Sequence, residues 1–204
     1  FCARTGRGFK RINFHKHTST EEYLGAVGLV NGATVFQPKD FLTAYTSPST
    51  VILLDEVTNA DAGELAPLNG FLEPNPCVSF GGQRWAKATG VFVVVADNTF
   101  GSGDETGRYA GTRTQNSALV DRFSRVIQFD FLPRSEEVSA LSARAHCTRQ
   151  LAAHVLEAIA VCRSKVQTGD IVDAPSIRSA IAFIRALMVI SPKDAWAKIG
   201  RAHV

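Results

Sequence analysis

Sulfur and tryptophan are scarce in this chain: one Met, two Trp and four Cys in 204 residues. Cys2, Cys77, Cys147 and Cys162 are scattered, with no C-x-x-C pair. That spacing excludes a paired-thiolate zinc site or a disulfide-stapled scaffold, and reads as a reduced, cytoplasmic protein. An excess of one charge is also missing, since 22 Lys and Arg against 19 Asp and Glu leave a formal +3. Such a balance gives no electrostatic case for nucleic acid or a membrane surface. No apolar run approaches the roughly 20 residues of a membrane span, and neither repeats nor low-complexity tracts occur. What remains is 45% hydrophobic, enough for one real core and a small second domain.

Two textures follow one another along the chain. Up to Leu132, apolar runs bounded by turn residues read as strands: Phe9–Phe14, Val51–Leu54, Val91–Ala96 and Val126–Phe131. Residues 18–24 read as the start of a short helix or a loop, and short helices are expected over 39–45 and, irregularly because of Pro67 and Gly70, over 62–72. Gly25, Gly28 and Gly32 punctuate a flexible stretch, and Gly81-Gly82 marks a hairpin between Val78–Phe80 and Arg84–Ala86. From Ser135 onward no strand is expected. Ser135-Glu136-Glu137 starts the first of two helical stretches running to about Val166. A third runs from about Pro175 to Val189, with Ile177, Ile181, Ile184 and Met188 at helical spacing. The coarse architecture is an α/β body over 1–132 and a small all-α domain over 133–198.

Both ends read as artificial. Residues 1–6 look like the tail of a helix closing on a glycine cap, with its beginning outside the chain. Ile199 to Val204 resembles translated adapter sequence and is set aside as a non-native tail. The chain reads as a fragment.

Chemistry concentrates where apolar strands end. Val51-Ile-Leu-Leu54 reads as a strand buried on both faces, as in a parallel sheet, and it runs into Asp55-Glu56. Open parallel sheets bind ligands at the carboxyl ends of their strands. The same pair also suits an acidic turn that starts a helix. The next buried strand ends in Ala96-Asp97-Asn98. Beyond it come Gly101-Ser-Gly103-Asp104, Gly107-Arg-Tyr109-Ala-Gly111-Thr112, and Asp121-Arg122-Phe123. Taken singly, Asn98 is a turn residue, Arg122 a surface cation or a partner for Asp121, and Arg178 a solvated helix-start charge.

In this order the residues resemble the AAA+ ATPases of the MoxR and cobaltochelatase-subunit group, related to dynein-type modules. The resemblance runs from Phe9 to Trp196. It implies a P-loop NTPase-type parallel sheet flanked by helices and followed by a helical lid, with ATP and Mg2+ as cofactors. Asp55 would hold the metal through its water shell and Glu56 would act as general base. Asn98 would be sensor 1, Arg122 an arginine finger reaching a neighbouring subunit, and Arg178 a phosphate-clamping sensor 2. It further implies a ring, most simply a hexamer, and a partner with a von Willebrand A domain. The rival readings are a nucleic-acid-acting motor or loader and a nucleotide-binding scaffold without turnover.

One departure stands out: no Gly-x-x-x-x-Gly-Lys-Ser/Thr loop occurs in the sequence. Nothing here cradles the β- and γ-phosphates, so these 204 residues alone are expected to bind ATP poorly and hydrolyse it negligibly. His15 and His17 could pair on a metal but lack a third ligand. The cations Arg4, Arg7, Lys10, Arg11 and Lys16 around Phe9 and Phe14 read as the solvated face of a core strand. Trp85 reads either as a packing residue or as one that reaches a partner.

Overall fold

The computed structural model describes residues 1–73, 77–97, 119, 121–172 and 174–195. The chain divides into two compact units, 1–126 and 127–204.

In the first unit a one-turn helix α1 (Cys2–Thr5) closes on Gly6 in the left-handed conformation. The strand β1 (Gly8–Asn13) follows. After the short α2 (Thr20–Tyr23), β2 (Gly25–Val30) and β3 (Ala33–Pro38) form an antiparallel hairpin. Here the expectation of a flexible glycine stretch is corrected. The connection is Asn31-Gly32, both at positive φ, a turn whose twist matches that of the paired strands. α3 (Asp40–Tyr45) leads into β4 (Thr50–Asp55). The single helix anticipated over 62–72 is two short ones, α4 (Ala62–Leu65) and α5 (Leu68–Phe71), divided at Pro67. The expected glycine-turn hairpin is β5 (Cys77–Phe80) with β6 (Gln83–Ala86), and β7 (Phe92–Ala96) completes the strands.

β4 lies between β1 and β7, parallel to both. The central place explains its continuous apolar run: Val51, Ile52 and Leu54 are buried, and strands covered on both faces carry no alternation. β7 departs from expectation. It is an edge among the described residues, and Phe92 and Val94 are 52% and 46% exposed. Residues 126–131 also depart, forming no strand, with Ile127 68% and Phe129 90% exposed. A strand needs a ladder partner for its amides and carbonyls, and none of the described residues supplies one to this run.

The core beneath the sheet is aromatic. Phe14, Tyr23, Phe41, Tyr45 and Phe71 are all buried. Their rings meet at 5.2–6.4 Å, mostly edge to face, each pair adding about 0.5–1.5 kcal/mol beyond burial. Phe9, assigned to this core from the sequence, is instead 57% exposed. The two hairpins meet through Phe36, which packs on Phe80 at 5.7 Å and Trp85 at 6.0 Å. Trp85 also donates from Nε1 to the Phe80 carbonyl at 3.0 Å, which makes it a packing residue here.

The second unit contains α6 (Arg134–Ala145), α7 (Arg149–Thr168) and α8 (Ile177–Leu187). Thr148 and Ser176 cap the last two by accepting from the Leu151 and Ser179 amides, contacts worth about 1 kcal/mol each. Because Ser176 is the cap, Pro175 lies outside the helix rather than in its first turn. Leu141, Leu156, Ile159 and Ile184 form the core. Buried beside it, Glu137 accepts from the two terminal nitrogens of the Arg163 guanidinium at 2.6 and 3.1 Å. No helix among the described residues is long and apolar enough to cross a membrane.

Candidate nucleotide and metal site

Register places the site. Asn13, Asp55 and Ala96 are level neighbours across the three parallel strands, so Asp55 sits at the carboxyl end of the middle one. The ladder continues one step further, with the Phe14 amide on the Asp55 carbonyl at 2.8 Å and the Glu56 amide on the Ala96 carbonyl at 2.9 Å. The backbone then breaks away. Glu56 adopts φ 59°, ψ 41°, a left-handed conformation that typically costs a non-glycine residue about 1–3 kcal/mol and clusters at functional sites. It opens a 3-10 turn, Val57–Asn59.

The turn is held by its surroundings. Asp97, one residue past β7, accepts from the Thr58 amide at 3.1 Å and the Thr58 hydroxyl at 2.8 Å. With Thr58 only 1% exposed, this carboxylate braces the two strand ends together. The Glu56 carboxylate is exposed and accepts from the Asn59 side-chain amide at 3.1 Å. Asp55 is paired with the Arg11 guanidinium, and Arg11 also reaches Asn13 Oδ1 at 3.4 Å. Two carboxylates therefore stand side by side at the sheet end, Asp55 neutralised by a cation and Glu56 open to solvent.

The other residues singled out from the sequence are distributed differently. Asn98 lies outside the described residues. Arg122 is bound within its own chain, its Nε donating to the Asn69 carbonyl at 3.0 Å and to Glu73 Oε1 at 3.1 Å. The anticipated partner Asp121 is not the one it meets in these bonds. Arg178 belongs to the second unit, exposed in the first turn of α8. Several of the cations read as a solvated face have internal partners. Lys10 pairs with Asp40 at 2.7 Å, and Arg7 donates to the Gly90 carbonyl and lies over the Phe92 ring. His15 accepts from the His17 amide at Nδ1 and faces Glu22. Among the described residues no group of three or more His, Cys, Asp or Glu could hold a metal ion.

Parallel strands with acids at their carboxyl ends are the layout of a ligand-binding α/β sheet, and comparison with known proteins decides which one. The family model for the AAA domain of the dynein-related subfamily matches residues 1–123. The chain belongs to the dynein-related AAA family. Among curated relatives, the aerobic cobaltochelatase subunit CobS of a Sinorhizobium species is 27% identical over 183 residues. That match takes in 85% of this chain and 55% of the relative, so the chain spans about half that protein's length. Two solved structures share the fold. A Cytophaga hutchinsonii protein assigned as an ATPase aligns at TM-score 0.50 and 17% identity, over 87% of this chain and 60% of its own. A point mutant of Thermotoga maritima RuvB aligns at TM-score 0.51 and 13% identity, over 98% of this chain and 55% of its own. The AAA chain is thus a P-loop NTPase-type α/β sheet followed by helices, with similarity to a cobaltochelatase subunit.

No local motif in the sequence marks Arg11, Asn59, Asp97 and Glu73 as serving the residues singled out from it. Arg11 lies two positions before Asn13 on the same strand face, so a period-2 reading joined to parallel pairing would have placed it near Asp55. Glu73 and Arg122 are far apart in sequence, and nothing local connects them. The oxygens of Asp55 and Glu56 are donors of the kind a hydrated magnesium ion takes. Magnesium keeps most of its waters and needs only one or two carboxylates with phosphate oxygens.

Proposed function

We propose that this AAA chain is part of an ATP-hydrolysing remodelling ATPase that works as a ring, with residues 1–132 as nucleotide-binding core and 133–198 as lid. The observation that carries it is the level alignment of Asn13, Asp55 and Ala96, with Glu56 turned out of the ladder beside them. Asp55 holds hydrated Mg2+, and Glu56, exposed and held by one neutral amide, takes the proton of the attacking water. Asn98 orients that water. Arg122 serves the nucleotide of the adjacent subunit, which is why a ring, most simply a hexamer, is part of the reading. Arg178 contributes a guanidinium to the phosphates. The likeness to a cobaltochelatase subunit makes a tetrapyrrole-metallating complex with a von Willebrand A partner the client system of first choice. Cytoplasmic residence fits the unpaired, scattered cysteines.

Phosphate release by the whole protein is the test. Glu56→Gln is expected to lower turnover about 10²–10⁴-fold with nucleotide still bound, and Arg122→Ala about 10³–10⁵-fold. In mixed rings, Arg122→Ala subunits should silence their neighbours' sites while their own remain competent. Wild-type turnover by the Glu56→Gln protein would reject the reading.

A further inference from the structure

Asp55 has a resident counter-ion. Arg11 projects from the neighbouring strand, is 54% exposed along its side chain, and pairs with a carboxylate that is only 20% exposed. One guanidinium thus occupies the approach to the carboxylate that the proposed function assigns to the metal. The guanidinium pairs with Oδ2 of that carboxylate. A dication arriving beside a fixed guanidinium meets repulsion that weakens its hold. Asn13 Oδ1, at 3.4 Å from Arg11 Nη2, adds a weak second anchor on the same strand face, so the guanidinium is stationed there.

We propose that Arg11 gates Asp55: it neutralises the acid when the site is empty, and a divalent cation binds there against its charge. The gate rests on the reading of Asp55 as a metal-holding residue. It adds that metal affinity is lowered by this chain's own arginine. Because Arg11 is half exposed, it can retreat into water, which limits its effect to about tenfold in affinity.

Mn2+ alone, titrated into the 204-residue chain and followed by loss of the free-ion EPR signal, tests this without any turnover. Arg11→Met is expected to bind Mn2+ about tenfold more tightly than wild type. Arg11→Lys, which keeps the charge, should stay within about twofold. Adding Asp55→Asn to Arg11→Met should remove the gained affinity. Thermal midpoints within a few degrees of wild type show that each variant is folded. Unchanged or weaker Mn2+ binding by Arg11→Met, or none at millimolar metal, overturns the gate. If Arg11→Met is neutral while Asp55→Asn still abolishes binding, the gate fails and the metal assignment stands. If Asp55→Asn changes nothing in either background, the assignment of Asp55 falls and the gate falls with it.

Discussion

Removing one half of the Glu137–Arg163 pair should cost far more than removing both. The carboxylate side chain is 6% exposed and the guanidinium 17%, so each would be stranded in a poor solvent without the other. Breaking a buried ion pair typically costs about 3–5 kcal/mol, because the surviving charge is left uncompensated. Arg163 has some exposure and the Phe131 ring 3.7 Å from its guanidinium carbon. Glu137→Leu therefore belongs at the lower end, about 3 kcal/mol. Arg163→Met strands the deeper carboxylate and should cost about 4 kcal/mol. The double variant leaves no buried charge. It loses only the ring contact, about 1 kcal/mol, against apolar surface gained by Leu and Met. If the losses were independent, the double variant would cost their sum, about 7 kcal/mol. Hydrogen exchange of peptides covering α6 and α7, read by mass spectrometry in the intact chain, measures the opening free energy of these helices. A double variant as unstable as the sum of the singles would refute the claim that desolvated charge, rather than packing, governs this spot.

The first unit offers three further tests. Asp97→Ala should destabilise it by about 3 kcal/mol in urea unfolding, since it strands two buried Thr58 donors that a charged acceptor had satisfied. Thr58→Ser keeps both bonds and should stay within about 1 kcal/mol. Gly81→Ala would place a methyl 2.3 Å from Phe36 Cδ2 at a backbone φ of 59°. It should cost well over the roughly 1 kcal/mol of the left-handed conformation alone, and measured against a Phe36→Ala background its cost should fall back to about that value. Burial pushes the Tyr45 hydroxyl up to about 12, and burial raises Tyr23 as well. The folded state holds these protons more tightly than the unfolded chain, so their contribution is complete below about pH 10 and is lost as pH climbs towards about 12. Tyr45→Phe should flatten that loss in urea midpoints taken between about pH 9 and 11. It should also cost about 1 kcal/mol at neutral pH, because the Phe71 carbonyl loses its donor at 3.1 Å.

What could be seen in the sequence was set by whether the deciding interaction is local. The β4 run is legible because a strand covered on both faces must be apolar throughout, and Asp55-Glu56 at its end is legible because polarity changes abruptly there. The capped helices of the second unit are legible for the same reason, their periodicity and end residues lying within one window. The β2–β3 hairpin is legible in principle, through Asn31-Gly32, but the glycines around it draw the reading towards flexibility. Residues 126–131 show the opposite failure. Alternation of Val126, Gln128 and Asp130 with Ile127, Phe129 and Phe131 describes a strand, yet a strand exists only where a neighbour offers a ladder. The site divides along the same line. Its acids are marked by position in their own strand, whereas Arg11, Asp97 and Glu73 take their roles from residues far away in the sequence. Parallel pairing is what closes that distance, since it brings the ends of strands separated by whole helices to one edge. A reading that fixes register first and assigns chemistry second would therefore have found the cation beside Asp55, and with it the reason this carboxylate can lie largely buried.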